Sequence, residues 1–383
     1  MAVHHHPDLY GSDLMLLRTL EGFRDTGHDV TLLVPDKGPL LDRADRAGIT
    51  YQVLRYPQLS KSLMRPLALV RLVAALPVDI LRLAAHIRRL APDVIYVNTL
   101  TMPHWPLAAR LCRRPVVVHV RELESEVGRL VSRLLTGQLL VASSIVANSR
   151  ATAEYISGDW SALKVRTRVV YNGLDLPELA PRIDRQGSHV VLKVVGRLSP
   201  RKGQDVAIRA LAAIRELDVD GRLVLVGTVF PGYEWYEREL RALAATLGVS
   251  EFVFFRGYTD RPWEEGADVV LVPSRLEPFG NVAAEALASG TPTVVTSVGG
   301  LPEIVQNDET GFVVPPEDDA AMCDAILRIL ERPHAARAVA AAGRAAVIER
   351  YSRARYTLEM AEVIGEIAET RGAIVDGGAA SNG

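Results

Sequence analysis

Short apolar runs rich in β-branched residues alternate with amphipathic stretches along almost the whole chain. In the second half the runs are 190–195, 223–226, 252–255, 269–272, 293–295 and 312–314. Between them, Val206, Ala210, Ala213, Ile214 and Leu217 fall on one helical face, and Leu240, Leu243, Ala244 and Leu247 on another. Strands that alternate with helices in this way predict a parallel sheet covered by crossover helices. The first half repeats the pattern, with strands predicted at 30–34, 94–97, 116–120, 145–147 and 169–171. Its predicted helices are 14–26, a long pair within 63–90, 105–111 and 122–135. Residues 177–188 carry two prolines, a glycine and no apolar period, which reads as a linker. The expectation is an α/β protein of two doubly wound domains, 1–176 and 189–364. A helix end and a disordered Gly/Ala/Ser tail follow over 365–383.

Length and composition agree with that division. At about 100 to 200 residues per domain, 383 residues accommodate two domains with a core each. Hydrophobic residues at 48% and charged residues at 23% exclude wholesale disorder. Cys112 and Cys323 lie far apart, in neither a metal spacing nor a redox pair, so no disulfide framework exists and a reducing compartment is expected. The most apolar segment, 66–85, is interrupted by Arg71, Asp79 and Arg82 and fails the requirement of about 20 uninterrupted apolar residues for a membrane span. The first ten residues hold His4, His5, His6 and Asp8 where a secretory signal would have a basic start and an apolar core, so a cytoplasmic location is expected.

The net charge of −2 conceals an asymmetry: residues 1–175 carry 22 basic against 16 acidic side chains, and the remainder 22 against 30. With no aromatic-basic motif, that balance argues against nucleic acid as a partner.

Two segments carry candidate chemistry. The first, Gly196-Arg197-Leu198-Ser199-Pro200-Arg201-Lys202-Gly203, runs from a strand end into a helix beginning near Asp205. Arg197 offers a planar fork and Lys202 a compact ammonium, a pair suited to the two phosphates of a diphosphate. The alternative is a solvated basic loop with a glycine turn. The second segment, 273–290, follows the strand 269–272 directly. Gly280 and Asn281 open a helix that Gly290 ends, and the positive end of that helix can hold a phosphate. Glu285 lies one turn inward from Asn281, suited to ribose hydroxyls, and Glu277 precedes the helix, able to accept hydrogen bonds from a sugar. As alternatives, Glu277 is a helix-entry acid and Glu285 a surface charge, although Glu285 sits among alanines and Leu287.

Together these residues resemble the retaining family 4 glycosyltransferases, with the GT-B architecture of two Rossmann-like domains facing across a cleft. The marks are Glu277-Pro278-Phe279-Gly280 with Glu285 after seven intervening residues, the Gly-Arg-Leu-Ser-Pro-Arg-Lys-Gly segment, and Gly299-Gly300-Leu301-Pro302-Glu303. The resemblance implies transfer of a hexosyl unit from a UDP- or GDP-sugar to a hydroxyl acceptor, a glycan or lipid-linked saccharide, with retention of configuration. It further implies that Arg197 and Lys202 neutralise the donor diphosphate, that Glu285 holds the ribose and that Glu277 orients the transferred sugar. Amides of Phe279, Gly280, Asn281 and Val282 would contact sugar and phosphate, and the base would lie near Arg256-Gly257-Tyr258. Rival readings are a catalytically silent nucleotide-sugar-binding subunit and a GT-B phosphorylase or epimerase.

In the first half, Leu9-Tyr10-Gly11-Ser12-Asp13 looks like the family's glycine loop over donor and acceptor, although Ser12 or Asp13 could equally be a helix N-cap. His119, read as standing at a strand end facing the cleft, matches a functional histidine of the family near the transferred sugar. A lone histidine there is otherwise a structural residue. Asn98, Thr99, Asn148, Ser149, Asn172 and Gly173 end further strands and either line the acceptor side or make turns.

One feature departs from the family. Only Met1, Ala2 and Val3 precede the histidines where an apolar first strand is expected, and the natural start is therefore expected a few residues upstream. Consecutive histidines match no zinc spacing, no Asp-x-Asp lies at a strand end, and Arg197, Lys202 and the helix can replace a cation. No metal or further cofactor is expected. Finally, Lys61, Arg65, Arg71, Arg82, Arg88 and Arg89 face only Asp79 over 61–90, the composition of an interfacial surface for anionic membrane, or of covering helices with a solvated basic edge.

Overall fold

The computed structural model describes residues 1–9, 11–59, 66–123, 128–175, 177, 179, 189–230 and 232–379, with backbone alone at 66–74, 130 and 370–379. The chain divides into two units, Met1–Gly173 with Arg353–Gly383, and Leu174–Ser352.

The first unit is built on β1 (Ala2–Val3), β2 (Thr31–Val34), β3 (Thr50–Val53), β4 (Ile95–Val97), β5 (Val116–Val120), β6 (Ser144–Ala147) and β7 (Thr167–Val169). All neighbours are parallel, in the order β3-β2-β1-β4-β5-β6-β7. The helices are α1 (Gly11–Asp25), α2 (Pro39–Arg46), α3 (Pro66–Leu90), α4 (His104–Leu111), α5 (Arg129–Gly137) and α6 (Arg150–Asp159). Both faces of the sheet are covered, so adjacent residues of one strand enter opposite cores. Val118 packs with Leu83, Ile87 and Trp105, whereas Val117 packs with Leu16, Leu20 and Met360. This two-sided burial is why the parallel strands read as continuous apolar runs.

The second unit holds β8 (Val190–Val195), β9 (Gly221–Val226), β10 (Val253–Phe255), β11 (Val269–Val272), β12 (Thr293–Thr296) and β13 (Phe312–Val314) in the parallel order β10-β9-β8-β11-β12-β13. Its helices are α7 (Gln204–Glu216), α8 (Glu234–Thr246), α9 (Asn281–Ala288), α10 (Leu301–Ile304), α11 (Asp319–Glu331) and α12 (Pro333–Arg350). Strand order reverses between β8 and β11. Ligands of doubly wound sheets bind beyond the strand ends at such a reversal, which singles out the loops leaving β8 and β11.

Several expectations are corrected. The last helix, α13 (Arg353–Ala379), lies in the first unit, although 353–364 was assigned to the second domain. Tyr356, Met360, Val363 and Ile364 complete the apolar layer over α1, and the Thr19 hydroxyl meets the Tyr356 hydroxyl at 2.5 Å. A helical period reveals that a face is apolar but not which sheet it covers. The segment within 63–90 is one helix from Pro66 that continues through Pro77, not a pair; residues 60–65 lie outside those described. β1 is the short first strand that the resemblance implies, two residues long, whereas β3 and α2 are not predicted, β3 because it carries polar side chains at the sheet edge. α5 begins at Arg129, with 124–127 outside the described residues. So is the linker, apart from Pro177 and Leu179. Within 365–383, where a helix end and a disordered tail are expected, α13 runs through Ala379, and 380–383 lie outside the described residues. Among the described residues no helix is long and apolar enough to cross a membrane.

Candidate active site

At the β8/β11 reversal two loops are forced together by glycine. The chain leaves β8 through Gly196 (φ +139°), makes a 3-10 turn at Pro200–Lys202, and enters α7 through Gly203 at φ +66°. A Cβ on Gly203 would stand 2.0 Å from the Pro273 carbonyl oxygen, so only glycine allows α7 to begin against the exit of β11. The approach brings the Lys202 ammonium to 2.5 Å from a Glu277 carboxylate oxygen, with the two side chains 26% and 12% exposed. The Ser274 hydroxyl donates to the same oxygen at 3.3 Å. Glu277 is also fixed through its backbone, whose carbonyl accepts from the Gly300 amide at 3.0 Å. Gly300 passes so near the 278–279 backbone that a Cβ there would lie 2.6 Å from the Phe279 carbonyl oxygen, so the loop after β12 buttresses the loop after β11.

Gly280, at φ +121°, opens α9 and supplies no capping side chain. The Ala284 amide donates to the Gly280 carbonyl, so the amides of Asn281, Val282 and Ala283 precede the helical ladder at its positive end. Phe279 is buried against Tyr351, edge to face at 5.5 Å. Its ring anchors the loop, which leaves the backbone as the part of Phe279 able to meet a ligand. Glu285 is half-buried one turn into α9. Arg197, also half-buried, has its guanidinium carbon 4.8 Å from the centre of the Phe230 ring, a cation–π distance. Beside it, the Gly227 amide donates to the Gly257 carbonyl at 2.7 Å, and Tyr258 is exposed. Thus Lys202, Glu277 and the start of α9 gather on two adjoining loops, while Arg197, Gly257 and Tyr258 stand at the neighbouring strand exits.

A half-buried charge cluster that sequence reasoning missed adjoins this site. Arg275 donates to both carboxylate oxygens of Asp205, at 2.8 and 2.7 Å, to the Pro200 carbonyl at 2.7 Å and to Glu317 at 2.9 Å. The Arg275 amide donates to the Arg201 carbonyl at 2.8 Å. Asp205 also accepts from Arg209 at 2.6 Å and from the Tyr236 hydroxyl at 2.9 Å. Burial works to push the Asp205 carboxyl up, but Arg275 and Arg209 hold it well below the usual carboxylate range. The legible signal was an arginine two residues before Glu277 and an aspartate three after Lys202; nothing local reveals that they pair.

In the first unit, Gly11, Ser12 and Asp13 form the first turn of α1. Asp13 is buried, 2.7 Å from His4 Nε2, and accepts from the Ser12 hydroxyl at 3.2 Å. Asn98 Nδ2 is 3.3 Å from His4 Nδ1, and Asn98 Oδ1 accepts from the Tyr96 hydroxyl at 3.0 Å and from Arg121 Nε at 2.8 Å. Arg121 extends the network to Asn172 Oδ1 at 2.8 Å and the Tyr356 hydroxyl at 3.0 Å. His119 does not stand open at a strand end as expected. Fully buried on the α1/α13 side of β5, it has Nδ1 2.7 Å from the Tyr96 hydroxyl, and its Nε2 has no hydrogen-bond partner among the described residues. Burial, then the Arg121 charge, push its pKa well below 6.5, so the ring is neutral. Asn148 accepts from the Thr152 hydroxyl at 2.9 Å, and Ser149 caps α6 by accepting from the Thr152 amide at 3.0 Å. Among the described residues no group of three or more His, Cys, Asp or Glu could hold a metal ion.

Residues 178–346 match the family described as glycosyl transferases group 1, and residues 11–173 match the glycosyl transferase 4-like domain. The chain belongs to the group 1 glycosyl transferases. Among curated members it is 34% identical over 252 residues to a D-inositol 3-phosphate glycosyltransferase of Saccharomonospora viridis, covering 61% of this chain and 58% of that protein. It is 34% identical over 259 residues to the Xylanimonas cellulosilytica protein of the same name, covering 62% and 61%. The chain thus matches about three-fifths of the length of these curated relatives. Solved structures superpose over nearly all of it. HepE of Anabaena, in complex with UDP and glucose, gives a TM-score of 0.80 at 23% identity, covering 95% of this chain and 98% of HepE. Sucrose-phosphate synthase of Thermosynechococcus elongatus gives 0.77 at 22%, covering 96% and 98%. The fold of this group 1 chain is accordingly GT-B, two Rossmann-like domains in tandem.

Proposed function

We propose that the chain transfers a hexosyl unit from a UDP- or GDP-sugar to a hydroxyl acceptor, with retention of configuration and without a metal ion. The observation that carries the reading is the convergence of Lys202, Glu277 and the amide-bearing start of α9 at the β8/β11 reversal. In this reading Lys202 and Arg197 neutralise the diphosphate, Glu277 orients the sugar, Glu285 holds the ribose, and the base lies near Gly257 and Tyr258.

Breaking the sugar–phosphate bond develops negative charge on the leaving diphosphate and positive charge on the sugar ring. Fixed cations and a helix start already aimed at the diphosphate stabilise the first without reorganisation, and one such donor contributes about 2.7 to 4 kcal/mol to lowering a barrier. Same-face substitution balances the step: the acceptor hydroxyl oxygen bonds to the anomeric carbon, the diphosphate leaves with the bonding pair, and its oxygen takes the hydroxyl proton. UDP is the first nucleotide to test, since it occupies HepE. Glycans and lipid-linked saccharides are the acceptor classes to test, and the relatives' name adds inositol phosphate.

The deciding experiment combines thermal shift with product analysis. UDP or GDP should raise the melting temperature, because a ligand that binds only the folded state stabilises it. A nucleotide sugar with an acceptor panel should give nucleoside diphosphate and a product of unchanged anomeric configuration, with turnover insensitive to EDTA. Absence of both stabilisation and turnover across UDP- and GDP-sugars would overturn the proposal.

A further inference from the structure

We infer that Arg275 is a positioning residue for the transfer reaction: its fork on Asp205 is the strut that holds the Lys202 turn against the Glu277 loop. The inference rests on the glycosyl-transfer reading and adds to it a residue that touches no substrate.

The two loops meet at two levels. At one, Lys202 contacts Glu277 across 2.5 Å, both side chains partly open to solvent. An ion pair in that position is weak by itself, and a diphosphate arriving at Lys202 would compete with it. At the other, Arg275 ties the same two loops through several bonds at once, with its side chain and that of Asp205 24% and 17% exposed. Its guanidinium reaches across to Asp205 and to the Pro200 carbonyl, and its amide to the Arg201 carbonyl, so the two residues before Lys202, and Asp205 three residues after it, are registered on the loop of Glu277. Asp205 is braced from behind by Arg209 and Tyr236, and Arg275 from outside by Glu317. A planar fork bound at both ends resists rotation, a geometry that the single ammonium of lysine does not reproduce. Because a displacement of about 1 Å in a catalytic group costs on the order of 100-fold in rate, the strut sets how well Lys202 meets the diphosphate.

A double-mutant cycle tests this, using the full chain, UDP- or GDP-sugar turnover, and temperatures at which every variant is folded by circular dichroism. Arg275→Gln is expected to lower kcat/KM about 10- to 100-fold, chiefly through kcat, and Arg275→Lys to recover little of it. In the Lys202→Ala background the same Arg275→Gln change is expected to cost less than about threefold, because the group being positioned is gone. Fold-changes that multiply across the cycle would overturn the strut, as would full activity in Arg275→Gln. Should Arg275→Gln fail to fold, Asp205→Asn removes the charge at the other end and enters the same cycle with the same two outcomes. If Lys202→Ala alone leaves turnover intact, the functional reading itself falls and the strut with it.

Discussion

Lys202 and Glu277, 75 residues apart in sequence, meet at 2.5 Å where the strand order of the second sheet reverses. Neither loop carries the pair by itself. The contact exists because Gly203 permits a backbone approach that any side chain would block, and its first consequence concerns Lys202. Replacing Lys202 with alanine is expected to lower kcat by roughly 100- to 1000-fold, the effect of losing one preorganised donor of about 2.7 to 4 kcal/mol. The melting temperature should change little, since a partly exposed ion pair contributes at most about 1 kcal/mol. Steady-state kinetics and calorimetry measure both, and near-normal kcat would contradict the assignment.

Glu277 has a second effect on the same ammonium. In the ligand-free protein its carboxylate competes with any diphosphate for Lys202. Glu277→Gln keeps the shape and removes the charge, so UDP or GDP alone should bind more tightly, roughly fivefold for a pair of about 1 kcal/mol. Sugar transfer should fall at the same time, because one of the two oxygens able to accept from the sugar becomes an amide donor and the charge is lost. Titration calorimetry that found weaker nucleotide binding in the variant would sink this coupling.

Backbone substitutions separate local space from local conformation. Gly203→Ala must hold a left-handed residue against the Pro273 carbonyl and is expected to destabilise the protein by roughly 2 to 4 kcal/mol. Gly158, inside α6 with nothing within 4 Å of an added Cβ, is the opposite case. Gly158→Ala should stabilise by about 0.5 to 1 kcal/mol. Urea unfolding of both variants checks the contrast.

His119 gives the first unit a pH dependence of definite sign. Its folded pKa lies well below 6.5 because the ring is buried and faces Arg121, with the Tyr96 hydroxyl on Nδ1. Below about pH 6.5 the unfolded chain therefore takes up a proton that the folded chain refuses. Stability falls with pH from there, by up to about 1.4 kcal/mol per pH unit, until the folded value is reached. His5, lowered to about 3 by burial and then by His4, acts in the same direction. His119→Gln should flatten the slope of unfolding free energy between pH 6.5 and 5 by close to one proton, and an unchanged slope would refute the attribution.

The outer face of α3 is where the membrane expectation, against a solvated basic edge, can be tested. Leu83, Ala84 and Ile87 are buried, whereas Val78, Leu81, Arg82, Arg88 and Arg89 are exposed. Binding to vesicles with anionic lipid is expected at low salt, falling as salt is raised, and lost in an Arg82→Glu, Arg88→Glu, Arg89→Glu variant. Cosedimentation that ignores salt, or finds no binding at low salt, would reject it.

Every strand of the second sheet was legible before any coordinates, since burial on both faces leaves a short unbroken apolar run that local composition reports. That Arg197 and Lys202 lie in the loop leaving β8, and Glu277 and Glu285 before and within α9, was legible as well, because a glycine-bounded basic loop and a helix-opening glycine are local patterns. The same reasoning read His119 as facing a cleft, whereas its ring is fully buried, and it missed β3, whose polar side chains at the sheet edge form no apolar run.

Local chemistry along the chain is thus enough to determine which segments become strands and which loops carry charge, because backbone preference and apolar spacing act over a few residues. What the folded chain alone decides is partnership across distance. That Asp205 takes Arg275, that His4 takes Asp13 and that the final helix covers α1 depend on where the sheets bring remote segments. No window of sequence holds that information, since each of these contacts exists only after strand order and layer packing have been set.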